Sequence, residues 1–157
     1  GSSPSELAAS LRPEQVAAMS IGELEYVWCA LPCASLPRGV WQGRIVQELP
    51  MSWAKRQLAR GIFGGVWGLS IDTQQWWFQD TTRLVARFEP RAGRSRWRDA
   101  DVIKLHYERT GPRLLRGMLY DELKPLNDGC ILGIGGSNRD DDRGAWFFFV
   151  LAPVPVL

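Results

Sequence analysis

The chain has little of what metal and cofactor sites are usually built from. Its one histidine is His106, and its three cysteines, Cys29, Cys33 and Cys130, include no Cys-x-x-Cys pair. No Cys/His ligand set for zinc is expected, and no cofactor. Cys29 and Cys33 stand four apart and can pair in an oxidising compartment or stay free in a reducing one, which leaves the compartment open, with a cytoplasmic place slightly ahead of a secreted one. Long apolar runs are also missing, and none approaches the roughly 18 to 20 residues that span a bilayer, so a soluble chain rather than an integral membrane protein is expected. Charge of one sign is scarce too: 19 Lys and Arg face 17 Asp and Glu, a net charge of +2. Nucleic-acid domains carry a stronger excess on one face, so nucleic acid is not an expected partner. Gly-x-Ser-x-Gly is absent, and the stretches Gly61 to Gly65 and Gly133 to Gly136 lack a P-loop lysine. They read as turns, bends or bulges.

What the chain does have is tryptophan. Trp28, Trp41, Trp53, Trp67, Trp76, Trp77, Trp97 and Trp146 fall within 157 residues, the length of one domain. One small core rarely buries so many indoles completely, which points some of them at a cavity.

Ser5 to about Trp28 mixes helix formers with Pro4 and Pro13 at first-turn positions, predicting two short helices whose apolar face is Leu7, Leu11, Val16, Met19 and Leu24. From Val40 the pattern changes to short β-branched and aromatic runs divided by Gly, Asp, Asn and Pro. The runs are Val40 to Val46, Val66 to Ile71, Gln75 to Asp80, Arg83 to Glu89, Asp101 to Glu108, Arg113 to Leu123, Cys130 to Gly135 and Ala145 to Leu151. Leu84, Ala86 and Phe88 alternate with Arg83, Arg87 and Glu89, and Ile103, Leu105 and Tyr107 alternate with Lys104, His106 and Glu108, the mark of a sheet with one dry side. The run from Ala145 is apolar on both faces and needs an outer cover, for which the N-terminal helices are the candidate. Ser52 to Arg60 reads as a short helix over one barrel mouth. The expected fold is mainly β: a single eight-stranded antiparallel meander β-barrel with N-terminal helices and a short helix after strand one. A helical segment, 1–35, then packs on a barrel domain, 36–157.

Leu36-Pro37-Arg38-Gly39-Val40-Trp41-Gln42-Gly43 resembles the GxWxG segment that opens a family of small uncharacterised bacterial proteins, and its Gly-Val-Trp core is similar to the start of lipocalin-type barrels. The stretch from Leu119-Tyr120-Asp121-Glu122 through Asn127-Asp128-Gly129-Cys130 to Gly133, followed by an aromatic strand, resembles the second segment of those bacterial proteins. The resemblance covers about a third of the chain. It implies a calycin-like barrel, the group of lipocalins and fatty-acid-binding proteins, whose interiors usually carry apolar ligands, and it implies that Trp41 closes one barrel end. The helical N-terminal region and the helix after strand one depart from true lipocalins, so their ligand chemistry is not carried over. The chain also lacks the C-terminal-strand histidine of the haem barrels called nitrobindins.

The expected ligand is a hydrophobic small molecule such as a lipid, pigment or secondary metabolite. Trp67, Trp77, Leu84, Phe88, Leu105, Tyr107 and Met118 are the candidate lining, with Tyr120, Glu122 and Arg116 anchoring a polar group. Charged residues inside an apolar strand need partners, and Arg116 and Lys124 are near Tyr120-Asp121-Glu122 in sequence. That cluster reads either as a salt-bridge network at the rim or as a carboxylate of raised pKa that moves a proton with the help of Tyr120 or Tyr107. The alternative function is therefore a cofactor-independent isomerase, cyclase or hydrolase, with Tyr120, Glu122, Asp121 and His106 as catalytic candidates. His106 is also the candidate ligand of a third reading, haem binding, although alternation puts it on an outer face. Arg91 to Arg98 and the acidic stretch Asn138 to Arg143 read as solvated loops rather than as a phosphate or calcium site. Oligomeric state stays open.

Overall fold

The computed structural model describes residues 3–79, 87–107, 119–138 and 142–155. Three helices come first, where two were expected. α1 (Pro4–Ser10) begins at Ser3, whose hydroxyl accepts from the Glu6 N–H, and α2 (Pro13–Ala17) has its proline in the first turn. α3 (Ile21–Ala30) starts with a reciprocal capping box between Ser20 and Glu23, a restart signal that splits the single expected second helix in two. Leu24, Val27, Trp28 and Leu31 recur at helical spacing and are all buried.

The strands are β1 (Val40–Glu48), β2 (Trp67–Ser70), β3 (Gln75–Phe78), β4 (Phe88–Arg94), β5 (Asp101–Tyr107), β6 (Leu119–Asn127), β7 (Cys130–Ser137) and β8 (Ala145–Pro153), and α4 (Trp53–Phe63) lies between β1 and β2. They form one sheet in the order β3-β2-β1-β8-β7-β6-β5-β4, each neighbouring pair antiparallel. This is chain order with β8 returned beside β1, a meander curled strongly into a half-barrel. Among the described residues the two edge strands meet where Gln75 bridges Arg87 and the Phe88 N–H donates to Gln74 O at 2.9 Å. Bulges at Ile45/Gln47, Pro125/Asn127 and Gly135/Gly136 sharpen the curl. The expected mainly-β meander, with helices before it and one after its first strand, is what the chain forms.

Side chains sort cleanly by face. Trp41, Trp67, Leu69, Trp76, Leu105, Leu123, Ile131, Phe147, Phe149 and Leu151 fill the concave side. Cys130, Leu132, Ile134, Phe148 and Val150 point the other way and are covered by the residues of α1, α2 and α3. The apolar final strand is thus buried on both sides, with the helices as its cover, as its sequence required.

Two boundaries differ from the sequence reading. β4 runs over Phe88–Arg94 rather than ending at Glu89, so the basic stretch is half strand. Its remainder is not a solvated loop: Trp97 and Ala100 are buried against the outer face of the sheet, and Arg98 forms a forked pair with Glu25 of α3 at 2.8 Å. β6 continues beyond Leu123 through Pro125 to Asn127, the proline being tolerated beside the bulge, while the expected start of this strand, at Arg113, lies outside the described residues. Half of the stretch from Asn138 to Arg143, residues 139–141, lies outside the described residues.

Candidate functional site

The concave face is a layer of aromatic rings standing on glycines. A Cβ at Gly43 would lie 2.1 Å from the Trp67 ring, and one at Gly133 would lie 2.1 Å from the Phe149 ring, so only glycine lets these rings lie flat on the neighbouring strand. Both glycines of the Gly39-x-Trp41-x-Gly43 segment therefore have a physical role. Gly39 takes φ +102°, a conformation that side chains disfavour, and Gly43 is the floor under Trp67. Trp41 between them is buried and donates its indole N–H to Arg38 O at 3.0 Å. α4 packs Ala59 and Phe63 against this face. Ser52 caps it, Glu48 holds Arg56 and Arg60, and Phe63 stands edge-on to Trp67 at 5.1 Å and to Phe147 at 5.2 Å between ring centres.

Into this apolar layer the strands place one polar chain. The Trp76 indole N–H donates to the Tyr107 hydroxyl at 2.5 Å, and that hydroxyl donates to a carboxylate oxygen of Asp121. Tyr107 ends β5 and Asp121 lies near the start of β6, while Trp76 reaches over from β3. Burial pushes the Asp121 carboxyl up to about 7, the nearby Glu122 carboxylate adds to the rise, and the Tyr107 hydrogen bond opposes it. Burial also holds the Tyr107 phenol well above its ordinary range, so it stays a donor. Such a group can accept a proton, return it, or hydrogen-bond a ligand in either sense near neutral pH.

Glu122, one residue on, faces the outer side. It accepts from the Ser95 hydroxyl, from the Arg96 N–H at 2.6 Å and from the Tyr120 hydroxyl at 2.7 Å. Arg96 lies over the Tyr120 ring at 4.3 Å and Trp97 meets the same ring edge-on at 5.1 Å. Lys124, also on this side, donates to Leu31 O at the end of α3. This network fastens the 95–100 loop to the sheet.

Among the residues singled out from sequence, Trp67, Phe88, Leu105, Tyr107 and Asp121 come together on the concave face. Tyr120 and Glu122 do not join them, because the β6 register with β7 turns them to the helix-covered side. Trp77 also falls outside, lying across Gly68 with its indole donating to Trp41 O at 3.2 Å. His106 is half-buried on the outer side of β5, with its ring 6.4 Å from that of Tyr120. Burial and the cations Arg91, Lys104 and Arg96 lower its pKa. Leu84, Arg116 and Met118 lie outside the described residues. The inward indole of β3 is Trp76 and not Trp77, a choice that Gln75 signals by sharing the face of Trp77 and marking it as the outer one. Leu119 and Leu123 flank Asp121 at spacing two and mark it as inward in the same way.

Among the described residues no His, Cys, Asp and Glu cluster could hold a metal ion. No family model matches the chain, and no curated protein matches it. The crystal structure of a protein from Thermomonospora curvata has a similar fold, with a TM-score of 0.53 over 87% of this chain and 89% of that one at 15% sequence identity. At that identity the likeness speaks for the fold and not for a shared activity.

Proposed function

We propose that the concave face binds a hydrophobic small molecule, a lipid, pigment or secondary metabolite, and that Asp121 with Tyr107 meets its polar group. The observation that carries this reading is a carboxyl group pushed up to about 7 inside a cluster of aromatic rings. A carboxyl is costly to bury, and the Tyr107 hydroxyl is its one side-chain donor among the described residues, which leaves acceptor capacity for a bound polar group. Trp67, Phe88 and Leu105 supply the apolar wall, with Leu84, Arg116 and Met118 as further candidates. The resemblance of Gly39 to Gly43 to lipocalin-type barrels agrees with a ligand-holding interior. In this reading residues 1–35 act as a helical brace on the outside of 36–157.

One observation favours a second reading. Asp121 is near half-protonation at neutral pH and is bonded to a phenol, the ionisation that general acid-base catalysis by a cofactor-independent isomerase, cyclase or hydrolase needs. Purification from the native host, solvent extraction and mass spectrometry test the first reading, which fails if no apolar molecule is recovered. Incubating the recovered molecule with wild type and Asp121→Asn separates the two. An unchanged molecule bound by wild type means carriage, and turnover that disappears in a variant that still binds means catalysis.

A further inference from the structure

Resting on the binding reading above, the geometry points to a second polar contact for the ligand, the indole N–H of Trp146, and so to a neutral molecule bearing a carbonyl-type oxygen. The other tryptophans of the concave cluster have their N–H groups matched by the protein: Trp41 by Arg38 O, Trp67 by Phe63 O and Trp76 by the Tyr107 hydroxyl. Trp146 belongs to the same cluster and is 2% exposed, and among the described residues its buried Nε1 has no acceptor. Buried donors are rarely left so, and the other indole in that state, Trp28, lies on the helix-covered side of the sheet.

The backbone arranges this deliberately. Gly135 pairs with Phe147 and Gly136 with Ala145, so Trp146 is the extra residue of a bulge. Strict alternation would send it outward with Phe148 and Val150, and the bulge brings it to the concave cluster instead. Its strand neighbour Phe147 lies beside the polar chain. Gly135 pairs with Asp121 on its other side, and a Cβ there would lie 2.8 Å from Asp121 Oδ1 and 2.7 Å from the Phe147 ring. The strand that carries Trp146 and the strand that carries Asp121 thus flank Gly135 on either side, and the indole belongs to the aromatic cluster that the Asp121 carboxyl enters.

That pairing selects a ligand class. The indole donates to a ketone, ester, lactone or quinone oxygen, while Asp121 accepts from a hydroxyl when ionised and repels a carboxylate. A fatty-acid anion is the wrong partner.

The test uses the full chain and two neutral fluorescent probes, the naphthyl ketone prodan and its parent dimethylaminonaphthalene, which lacks the ketone. Wild type is expected to bind prodan more tightly, and Trp146→Phe to weaken prodan on the order of tenfold while leaving the parent unchanged. In wild type labelled with ¹⁵N-tryptophan, prodan and not its parent is expected to shift one indole N–H signal downfield. Equal affinities in wild type and Trp146→Phe overturn this inference and leave the binding reading standing. Failure of both probes to bind overturns both. Should Trp146→Phe not fold, the wild-type preference and the indole shift decide, and absence of both overturns the inference.

Discussion

Asp121 and Glu122 are consecutive carboxylates on β6, 4% and 0% exposed, and they meet opposite surroundings. Glu122 is ringed by three donors, two of them from the 95–100 loop, and its job is to hold that loop down. Asp121, across the sheet, has one phenol and an indole behind it, in a wall of rings. Glu122 is saturated with partners, as a buried charge that ties two elements together must be, whereas Asp121 is left short of them, and the proposed ligand would make up that shortfall. The difference between the two faces can be broken experimentally.

The largest effect expected is on the pH dependence of stability. A carboxyl near 7 in the folded chain and near 4 in the unfolded chain keeps its proton longer when folded, so unfolding gains as pH rises. Stability should fall between about pH 4 and pH 7, by at most about 4 kcal/mol, and level off above. Asp121→Asn should flatten that slope. Urea midpoints across the range test it, and an unchanged slope in the variant would remove Asp121 from the centre of the site.

Glu122 should behave differently. Glu122→Leu leaves the Ser95 and Tyr120 hydroxyls and the Arg96 N–H without their acceptor, and is expected to cost about 3 kcal/mol, with Glu122→Gln costing less. Chemical denaturation measures both. A loss in ligand binding without a loss in stability would reverse the roles assigned to the two faces.

Why the sequence led to the fold but split the site is visible in the same strand. Strand order and the need to cover β8 follow from periodicity and from an apolar run too long for one dry face, both local in sequence. Which carboxylate points inward depends on register, and a shift of one residue exchanges the faces. On sequence alone Tyr120 groups with Glu122 as the pocket's polar spot, whereas in the sheet it is Asp121, paired with Gly135, that turns inward. Trp146 was beyond alternation altogether, because a bulge sets its direction. The stretch Arg91 to Arg98 reads as solvated for a related reason: Arg98 finds Glu25, 73 positions away, and no local pattern announces such a partner.

A smaller effect is expected from the floor of the aromatic layer. Gly133→Ala puts a methyl group where the Phe149 ring lies and should cost about 2 kcal/mol in thermal or urea unfolding. Gly133→Ala combined with Phe149→Leu should recover part of it. Gly93, on the outer side, tests the contrast, since its Cβ would meet only the Lys104 stem at 3.3 Å and Gly93→Ala should change little.

The smallest effect concerns how the loop that serves Glu122 is tied to the helices. Arg98 and Glu25 are side-chain partners at 18% and 31% exposure, held by both ends of the guanidinium fork, whereas Arg91 and Glu89 form a similar fork at 60% and 56%. Water and salt screen the second pair far more than the first. A double-mutant cycle of Arg98→Met with Glu25→Gln should give a coupling of about 1 kcal/mol that survives in part at high salt, and the same cycle at Arg91 and Glu89 should give none that is measurable. Equal coupling in the two pairs would mean that packing of Trp97, and not the ion pair, fixes the loop over Glu122.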